Sequence, residues 1–244
     1  MITENSSETT KTMKKTLIAL TFLLLTTEAF VNAGTPKRMT ITAHTGAYGT
    51  PDNTMEFVNV ALGKNPDIIE IDIRCRPNGT LAMSHDEIKT NADGEDIWKV
   101  FEIIKDTPIR INLDIKQTIA LKPLRALIKK YKMEKQVFMT GLEKEAIPYA
   151  KKDCQGVEYY LNCQPDTARI QEEAYQQELI DLLKSTGSIG VNCNFKFANK
   201  TLSDLLHKHG YLLSVWTVNE KADAKRMIAI GVDNITSRRP EIVE

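Results

Sequence analysis

Two patterns of hydrophobic and polar residues alternate along the chain after residue 38. Short runs rich in apolar and β-branched residues are typical of buried strands, whereas apolar residues repeated every three or four positions are typical of amphipathic helices. The first pattern predicts eight strands, over residues 39–46, 67–74, 108–116, 136–141, 157–163, 188–194, 211–219 and 234–238. The second pattern predicts helices over residues 55–63, 95–105, 121–132, 144–152, 170–185, 202–209 and 221–230.

Residues with capping chemistry support several of these boundaries. Thr201 and Asn219 are candidate N-caps, because their short polar side chains can accept a hydrogen bond from the first turn of a helix. Gly231 stands directly after a predicted helix, where a left-handed glycine commonly ends one.

The order of the elements favours an α/β fold with a closed barrel. Eight strands separated by helices over about 210 residues, without a linker, fit a single compact (β/α)8 domain. A doubly wound open sheet is the alternative, but neither GxGxxG nor GxxxxGK[ST] follows any predicted strand. Polar residues at the ends of predicted strands, among them His44, Asp114 and Lys116, favour the barrel, because barrel enzymes carry their chemistry at the C-terminal strand ends.

The second predicted strand carries two acids among apolar residues. Glu70 and Asp72 are two positions apart, so both side chains point to the same face of the strand. Inside a barrel the two carboxylates would repel each other, and oxygen ligands of this kind suit Ca²⁺ or Mg²⁺. After a turn at residues 77–80, the chain returns towards the acids with His85. A half-buried strand pair with salt-bridged acids is the simpler reading of the same pattern.

The amino terminus has the pattern of a secretory signal peptide. Lysines at positions 11, 14 and 15 precede an apolar run over residues 17–25, and Val31 and Ala33 supply the small residues of a cleavage site. We therefore expect residues 1–33 to be removed and residues 34–244 to form the exported barrel domain, in the periplasm or the medium. The apolar run is too short to span a bilayer comfortably, so we expect no stable membrane anchor after cleavage.

Charge and cysteine content exclude some partners. The 244 residues include 32 basic and 32 acidic residues, so no basic field for nucleic acid is expected, and nothing in the composition fixes the oligomeric state. The four cysteines lack the close spacing of a zinc site, which favours structural or free thiols. Cys163 and Cys193 lie near the ends of two apolar runs, and neighbouring strands could bring them together.

The candidate residues suit hydrolysis at phosphorus. A divalent ion would neutralise the phosphate, one histidine would remove a proton from the nucleophile, and the other would donate to the leaving oxygen. Lysine would add a positive charge for the phosphate oxygens. The residues concerned are His44, Glu70, Asp72, His85, Asp114 and Lys116.

The same residues lie in motifs that resemble those of the glycerophosphodiester phosphodiesterases. The AHRG and PENT motifs of that family correspond to AHTG at residues 43–46 and PDNT at residues 51–54. The strand-two pattern IExD and the following DGxxVxxHD correspond to residues 69–72 and 78–86, and ExK corresponds to residues 114–116. Residues 215–219 and 231–236 resemble the VWTVN and GVDGIITD motifs. The similarity extends over residues 41–241.

This resemblance implies a TIM barrel that cleaves small glycerophosphodiesters to glycerol 3-phosphate and an alcohol. It further implies the roles of individual residues. His44 and His85 would be the acid–base pair, and Lys116 would contact phosphate. The ligands of a Ca²⁺ or Mg²⁺ ion would be Glu70, Asp72 and Asp114. Trp216 would line the substrate site or pack within the barrel.

The chain also departs from the family pattern. Thr45 stands where the family has arginine, so we expect an altered substrate contact at this position. Asp52 and Asp114 replace glutamates and are one methylene shorter. Only positions 86 to 113 separate His85 from Asp114, so the insertion after strand two is short or missing. These departures leave two alternatives open: a weak or silent relative that binds a phosphorylated ligand, and a phospholipase D-like activity on lysolipids.

Overall fold

Ten strands and seven α-helices form the part of the chain, residues 38–243, that the computed structural model describes. The predicted signal peptide, residues 1–33, lies outside the described residues. The strands are β1 (Thr40–Ala43), β2 (Ile68–Cys75), β3 (Leu81–Met83), β4 (Glu95–Asp96), β5 (Arg110–Ile115), β6 (Val137–Thr140), β7 (Leu161–Asn162), β8 (Gly190–Asn194), β9 (Leu212–Trp216) and β10 (Asn234–Ser237). The helices are α1 (Met55–Lys64), α2 (Ile97–Ile104), α3 (Leu121–Tyr131), α4 (Ile147–Asp153), α5 (Glu173–Thr186), α6 (Lys200–Lys208) and α7 (Lys221–Ile230).

Eight of the strands are parallel and form a barrel. On one side β10, β1, β2, β5 and β6 pair in that order, and on the other side β7, β8, β9 and β10 do so. The remaining seam is short: Met139 bridges to Tyr159, and the Asn162 N–H donates to the Leu142 carbonyl over 2.9 Å. Because these contacts join β6 to the segment that leads into β7, the eight strands surround a common interior, as predicted for a barrel.

The connection between β2 and β5 is a small antiparallel extension of the barrel. β2 continues beyond the barrel rim and pairs with β3, and β3 pairs with β4 before α2 begins. Gly79, with φ of +83°, forms the tight turn predicted between β2 and β3. A larger insertion is absent from this connection, as the sequence predicts.

The alternation of side chains along the strands gives the barrel two different surfaces. Outward-facing residues such as Ile69, Ile71 and Leu113 are fully buried against the helices. Each contributes about 1.5–3 kcal/mol relative to an exposed side chain. Inside, Ile68 packs with Phe138 and Tyr160 in a separate small cluster. The interior positions further along the strands are polar, and they carry the site.

Two of the predicted helix caps are wrong. The N-cap of α6 is Asn199, whose Oδ1 accepts from the Leu202 N–H over 2.9 Å, and Thr201 lies within the helix. Glu220 precedes α7, while the Asn219 side chain accepts from the Arg238 N–H over 2.9 Å. Gly231 ends α7 in the left-handed conformation, as predicted.

The four cysteines are free thiols. Cys163 and Cys193 directly follow the paired residues of β7 and β8, so neighbouring strands carry them as expected. None of the helices within residues 38–243 is both long and apolar enough to cross a bilayer.

Candidate active site

A cavity of about 840 Å³ opens at the C-terminal ends of the barrel strands. Seven of the eight candidate site residues line it, and the exception is Thr45. The seven are His44, Glu70, Asp72, His85, Asp114, Lys116 and Trp216.

Three carboxylates form the centre of this cavity. Glu70, Asp72 and Asp114 each offer an oxygen atom within 4.8 Å of the other two. The register explains this closeness, because Asp72 on β2 is the pairing partner of Asp114 on β5. Burial, followed by repulsion from Asp72 and Asp114, raises the pKa of Glu70 well above its ordinary value. A positive charge beside the three carboxylates would therefore stabilise their ionised forms.

Lys116 supplies one positive charge to the cluster. Its Nζ lies 2.9 Å from Asp72 Oδ1 and 2.8 Å from Asp114 Oδ2. Burial alone would lower the pKa of Lys116, but the two aspartates outweigh burial and raise it above the ordinary value. The lysine is therefore cationic and bridges the two strands.

The cluster keeps an unused ligand atom. Asp114 Oδ1 is buried and has no hydrogen-bond partner. It lies against Gly141, where a β-carbon would overlap it. A buried carboxylate oxygen without a partner is costly unless something else binds it. Together with an all-oxygen donor set, this observation fits a divalent cation held by Glu70, Asp72 and Asp114.

His44 is arranged as a proton acceptor. Its Nδ1 lies 2.7 Å from the Thr45 carbonyl oxygen, which can only accept, so Nδ1 carries the proton and Nε2 holds the lone pair. Burial lowers the pKa of His44, the hydrogen bond to Thr45 opposes this shift, and the charge of Arg238 lowers the pKa further. The neutral imidazole is therefore favoured at neutral pH.

His85 lies at the open rim of the same cavity. Its side chain is 69% exposed, and its Nδ1 lies 3.0 Å from Asp86 Oδ1. The His85 carbonyl accepts from Arg74 Nε over 3.0 Å, which fixes the backbone of the segment after β3. The two histidines thus differ in environment: one is largely enclosed and the other faces solvent.

Thr45 does not contact the cavity, contrary to the expectation from its motif position. It is 1% exposed, and its Oγ1 accepts from the Asn53 N–H over 2.5 Å. The Thr45 N–H donates to Glu70 Oε2 over 2.9 Å. Thr45 therefore orients the Glu70 carboxylate through its backbone N–H. Its side chain points into the protein because the chain turns immediately after β1.

Two polar residues at the site were not assigned a role from the sequence. Asn53 donates from Nδ2 to Asp72 Oδ2 over 2.7 Å and accepts at Oδ1 from the Asp72 N–H over 3.0 Å. Arg238 lines the cavity after β10 and pairs with Asp52. Asn53 lies in the PDNT motif, so a signal for it existed; nothing local to position 238 distinguishes its arginine from the adjacent Arg239.

Trp216, at the end of β9, lines the cavity. Its indole Nε1 is buried and has no hydrogen-bond partner. A buried N–H of this kind usually finds an acceptor, so the tryptophan suits a ligand oxygen as well as barrel packing.

The cavity can therefore bind an anion beside a divalent ion and exchange protons at two imidazoles. Oxygen ligands, a neutral imidazole, an exposed imidazole and a buried indole N–H surround one space. This combination is suited to the hydrolysis of a phosphate ester.

Comparison with known proteins agrees with this chemistry. The model of the glycerophosphoryl diester phosphodiesterase family matches residues 101–242, more than half of the chain. A glycerophosphodiester phosphodiesterase from Caldanaerobacter subterraneus subsp. tengcongensis is 27% identical over 241 residues, which cover 82% of this chain and 94% of the relative.

Solved structures agree on the fold. A glycerophosphodiester phosphodiesterase from Parabacteroides distasonis is 18% identical with a TM-score of 0.69, covering 86% of this chain and 96% of that one. A phosphodiesterase from Oleispira antarctica, solved in complex with the product sn-glycerol-3-phosphate, is 16% identical with a TM-score of 0.70, covering 84% of this chain and 94% of that one. The similarity to both structures confirms the TIM barrel. From the extent of the family match, this chain belongs to the glycerophosphoryl diester phosphodiesterase family.

Proposed function

We propose that this protein hydrolyses small glycerophosphodiesters to glycerol 3-phosphate and an alcohol. One observation carries the proposal: in a member of this family, two histidines and three clustered carboxylates line a single cavity at the C-terminal end of the barrel. The names of the relatives, and the product bound to the Oleispira antarctica phosphodiesterase, support the same substrate class.

We infer that a divalent cation, Ca²⁺ or Mg²⁺, is held by Glu70, Asp72 and Asp114. When bound, such an ion neutralises the phosphate and stabilises the charge that builds up in the transition state. Lys116 bridges the two aspartates, reduces their mutual repulsion and places its own charge at the edge of the phosphate site. Trp216 Nε1 donates to a substrate oxygen, which would satisfy a buried N–H that has no partner in the protein.

The two histidines exchange protons with the substrate in different roles. His44 accepts at Nε2 the proton of the substrate's own neighbouring hydroxyl as that hydroxyl attacks phosphorus and forms a cyclic phosphodiester, because Nδ1 is committed to the Thr45 carbonyl. His85, at the solvent-exposed rim, donates a proton to the leaving alcohol oxygen, and its Nδ1 lies 3.0 Å from Asp86 Oδ1. Water then opens the cyclic phosphodiester to give glycerol 3-phosphate. Each proton transfer contributes roughly 10²–10⁴-fold to the rate of such reactions.

The test is release of glycerol 3-phosphate from glycerophosphocholine by the purified protein in Ca²⁺ or Mg²⁺. We expect His44→Ala and His85→Ala each to lower kcat by roughly 10²-fold or more. His209→Ala is the matched control, because His209 follows α6 and does not line the cavity. Turnover that survives in both cavity variants would show that the reaction uses other groups.

Substrate choice is tested in the same assay. No particular contact in the described cavity favours a silent phosphate-binding relative or a lysolipid-cleaving enzyme. We therefore expect soluble glycerophosphocholine to be cleaved faster than micellar lysophosphatidylcholine. Binding of glycerol 3-phosphate without turnover would favour the silent relative instead.

We also propose that the protein is exported, from the signal-peptide pattern of residues 1–33. Expression of the full chain and of a chain lacking residues 1–33, followed by fractionation, tests this proposal. We expect only the full chain to leave the cytoplasm and to be shortened near residue 33. Retention of the full chain in the cytoplasm would contradict it.

A further inference from the structure

Arg238 lies where the first and last strands of the barrel meet. Its N–H donates to Asn219 Oδ1 over 2.9 Å, and its carbonyl accepts from the Tyr48 N–H over 3.2 Å. Both contacts fix the backbone directly after β10. The guanidinium is therefore projected from a rigid position at the cavity wall rather than from a mobile loop.

The side chain of Arg238 is held over the loop after β1. Its Nη2 donates to Asp52 Oδ2 over 2.7 Å, and both side chains are 43% exposed. A β-carbon at position 46 would overlap Asp52 and lie 3.2 Å from Arg238 Nη1, so Gly46 leaves room for this pair. Asp52 uses only one edge of the guanidinium. Nε and Nη1 make no hydrogen bond to any part of residues 38–243.

The charge of the cavity makes this cation important. Five carboxylates and three cationic side chains line it, a formal excess of two negative charges. Lys116 is engaged by two of the carboxylates. The phosphodiester substrate is itself an anion, so a cation with unused donors favours its binding. Arginine suits this role because it stays charged and holds several N–H donors in a fixed plane.

The neighbouring position cannot provide that cation. Thr45 is buried and bonded to the Asn53 N–H, so a long side chain there would not reach the cavity without moving the loop. Arg238 reaches the same region from the opposite end of the chain.

We propose that Arg238 binds the phosphate of the substrate through the guanidinium donors that Asp52 leaves free, and that Asp52 holds the guanidinium in position. This inference rests on the proposed function and adds to it the residue that recognises the anion.

The test measures phosphate binding and turnover separately. Inorganic phosphate and glycerol 3-phosphate are titrated calorimetrically into the full-length protein, in the presence of Mg²⁺ or Ca²⁺, for wild type, Arg238→Gln, Arg238→Lys and Arg239→Gln. Arg239 is the matched control, because it is adjacent, exposed and paired with Glu241 outside the cavity. Thermal unfolding of each variant confirms that it is folded.

We expect Arg238→Gln to weaken both ligands and to raise KM for glycerophosphocholine by roughly 10- to 100-fold, with a smaller change in kcat, because a charge-assisted contact is lost. Arg238→Lys should recover part of the binding, since it keeps the charge without the planar donors. Asp52→Asn should have a smaller effect than Arg238→Gln, because the guanidinium remains and only its ion pair with Asp52 is lost. Arg239→Gln should bind as wild type does.

Several outcomes would overturn the inference. Wild-type affinity for both ligands in folded Arg238→Gln would do so, and so would equal losses in Arg238→Gln and Arg239→Gln. A wild-type protein that binds neither ligand would also overturn it. Phosphate binding that depends on Arg238 without any turnover would leave this inference standing and refute the proposed function.

Discussion

Three carboxylates share one small space in this protein, and single residues make that possible. Lys116 balances the charges of Asp72 and Asp114. The backbone N–H of Thr45 donates to Glu70, and Asn53 makes two hydrogen bonds with Asp72. Glu70 accepts from the Thr45 N–H and lies 3.8 Å from His44 Nδ1, and its burial beside Asp72 and Asp114 leaves its negative charge under electrostatic strain.

This strain predicts how stability depends on pH. The folded protein raises the pKa of Glu70 above its usual value of 4.5, through burial and then repulsion from Asp72 and Asp114. The contribution of Glu70 to folding stability is therefore fully present below its usual pKa. It is lost as the pH rises through the raised pKa of the folded protein. In EDTA, we expect wild type to be more stable at pH 5 than at pH 8, as measured by urea unfolding.

The variant Glu70→Gln tests the cause. Because glutamine cannot ionise, we expect the stability of this variant to fall less between pH 5 and pH 8 than that of wild type. At pH 8 its Tm should be higher by roughly 2–4 °C, the shift that about 1 kcal/mol produces in a domain of this size. Glu102→Gln, exposed on α2, should behave as wild type does. An unchanged pH dependence in Glu70→Gln would show that other groups cause it.

Gly141 makes room for Asp114 and for the Ile115 backbone, so its substitution should damage both the site and the fold. In Gly141→Ala, the β-carbon would overlap Asp114 Oδ1 and lie 2.6 Å from the Ile115 carbonyl oxygen. We expect kcat/KM to fall roughly 10- to 100-fold, because a displaced ligand weakens a metal site by about that factor. The measurement is initial rate against divalent-ion concentration.

Gly79→Ala provides the control for backbone strain. Its φ of +83° resembles the +73° of Gly141, but nothing lies within 4 Å of its added β-carbon. Gly79→Ala should lose about 1–2 kcal/mol of stability from the left-handed conformation. Gly141→Ala should lose more, because its β-carbon also meets the Ile115 backbone, and only Gly141→Ala should lose turnover. Equal activities would mean that Asp114 tolerates the displacement.

Among the elements, the β2–β3–β4 extension determines where His85 lies. Arg76 fastens this extension internally: its guanidinium donates to the carbonyls of Leu81, Asp93 and Gly94 and to Asp96 Oδ1. Arg76 itself is buried, so its guanidinium is largely shielded from water and depends on these acceptors. The segment from His85 to Asp93 is thus attached by Arg76 at Asp93 and by Arg74 at His85.

Arg76→Met should release this segment. We expect a loss of about 2–3 kcal/mol, the range for hydrogen bonds to a charged group, and a fall in kcat of roughly 10-fold as His85 loses its position. Arg125→Met removes a comparable ion pair with Glu134 far from the cavity and should leave kcat unchanged. Unfolding curves and initial rates measured together separate the two effects. A wild-type kcat in Arg76→Met would show that His85 is held by other contacts.

The elements were largely predictable from the sequence, but their ends were not. Periodicity located all eight barrel strands, because apolar strands buried on both faces leave an unmistakable run. The predicted caps at Thr201 and Asn219 were wrong because a cap depends on one-residue differences in the start of a helix. Asn199 is as good a cap as Thr201 by composition, and Asn219 is drawn instead to the backbone of Arg238.

For the molecule as a whole, closing the barrel creates contacts that no local pattern predicts. The pairing of β1 with β10 brings Asp52 and Arg238, 186 positions apart, into a salt bridge. The burial of Thr45 follows from how the loop after β1 folds against Asn53. The carboxylate cluster, by contrast, was predictable, because two of its members share one strand face and the third lies on a strand that any barrel would place beside it.

Because the carboxylates come from two strands of the barrel wall, a bound cation should stabilise the whole fold. An ion that binds only the folded state at one hundred times its Kd adds about 2.7 kcal/mol. For a domain of this size we expect the Tm to rise by roughly 5–10 °C. The measurement is thermal unfolding of wild type in EDTA, in excess Ca²⁺ or Mg²⁺, and in NaCl at matched ionic strength. Asp114→Asn should lose most of the rise, since it removes the charge of the one ligand with an unpartnered oxygen. Equal melting temperatures in EDTA and in divalent salt would refute a cation site at these carboxylates, and Lys116 would then be their only counter-charge.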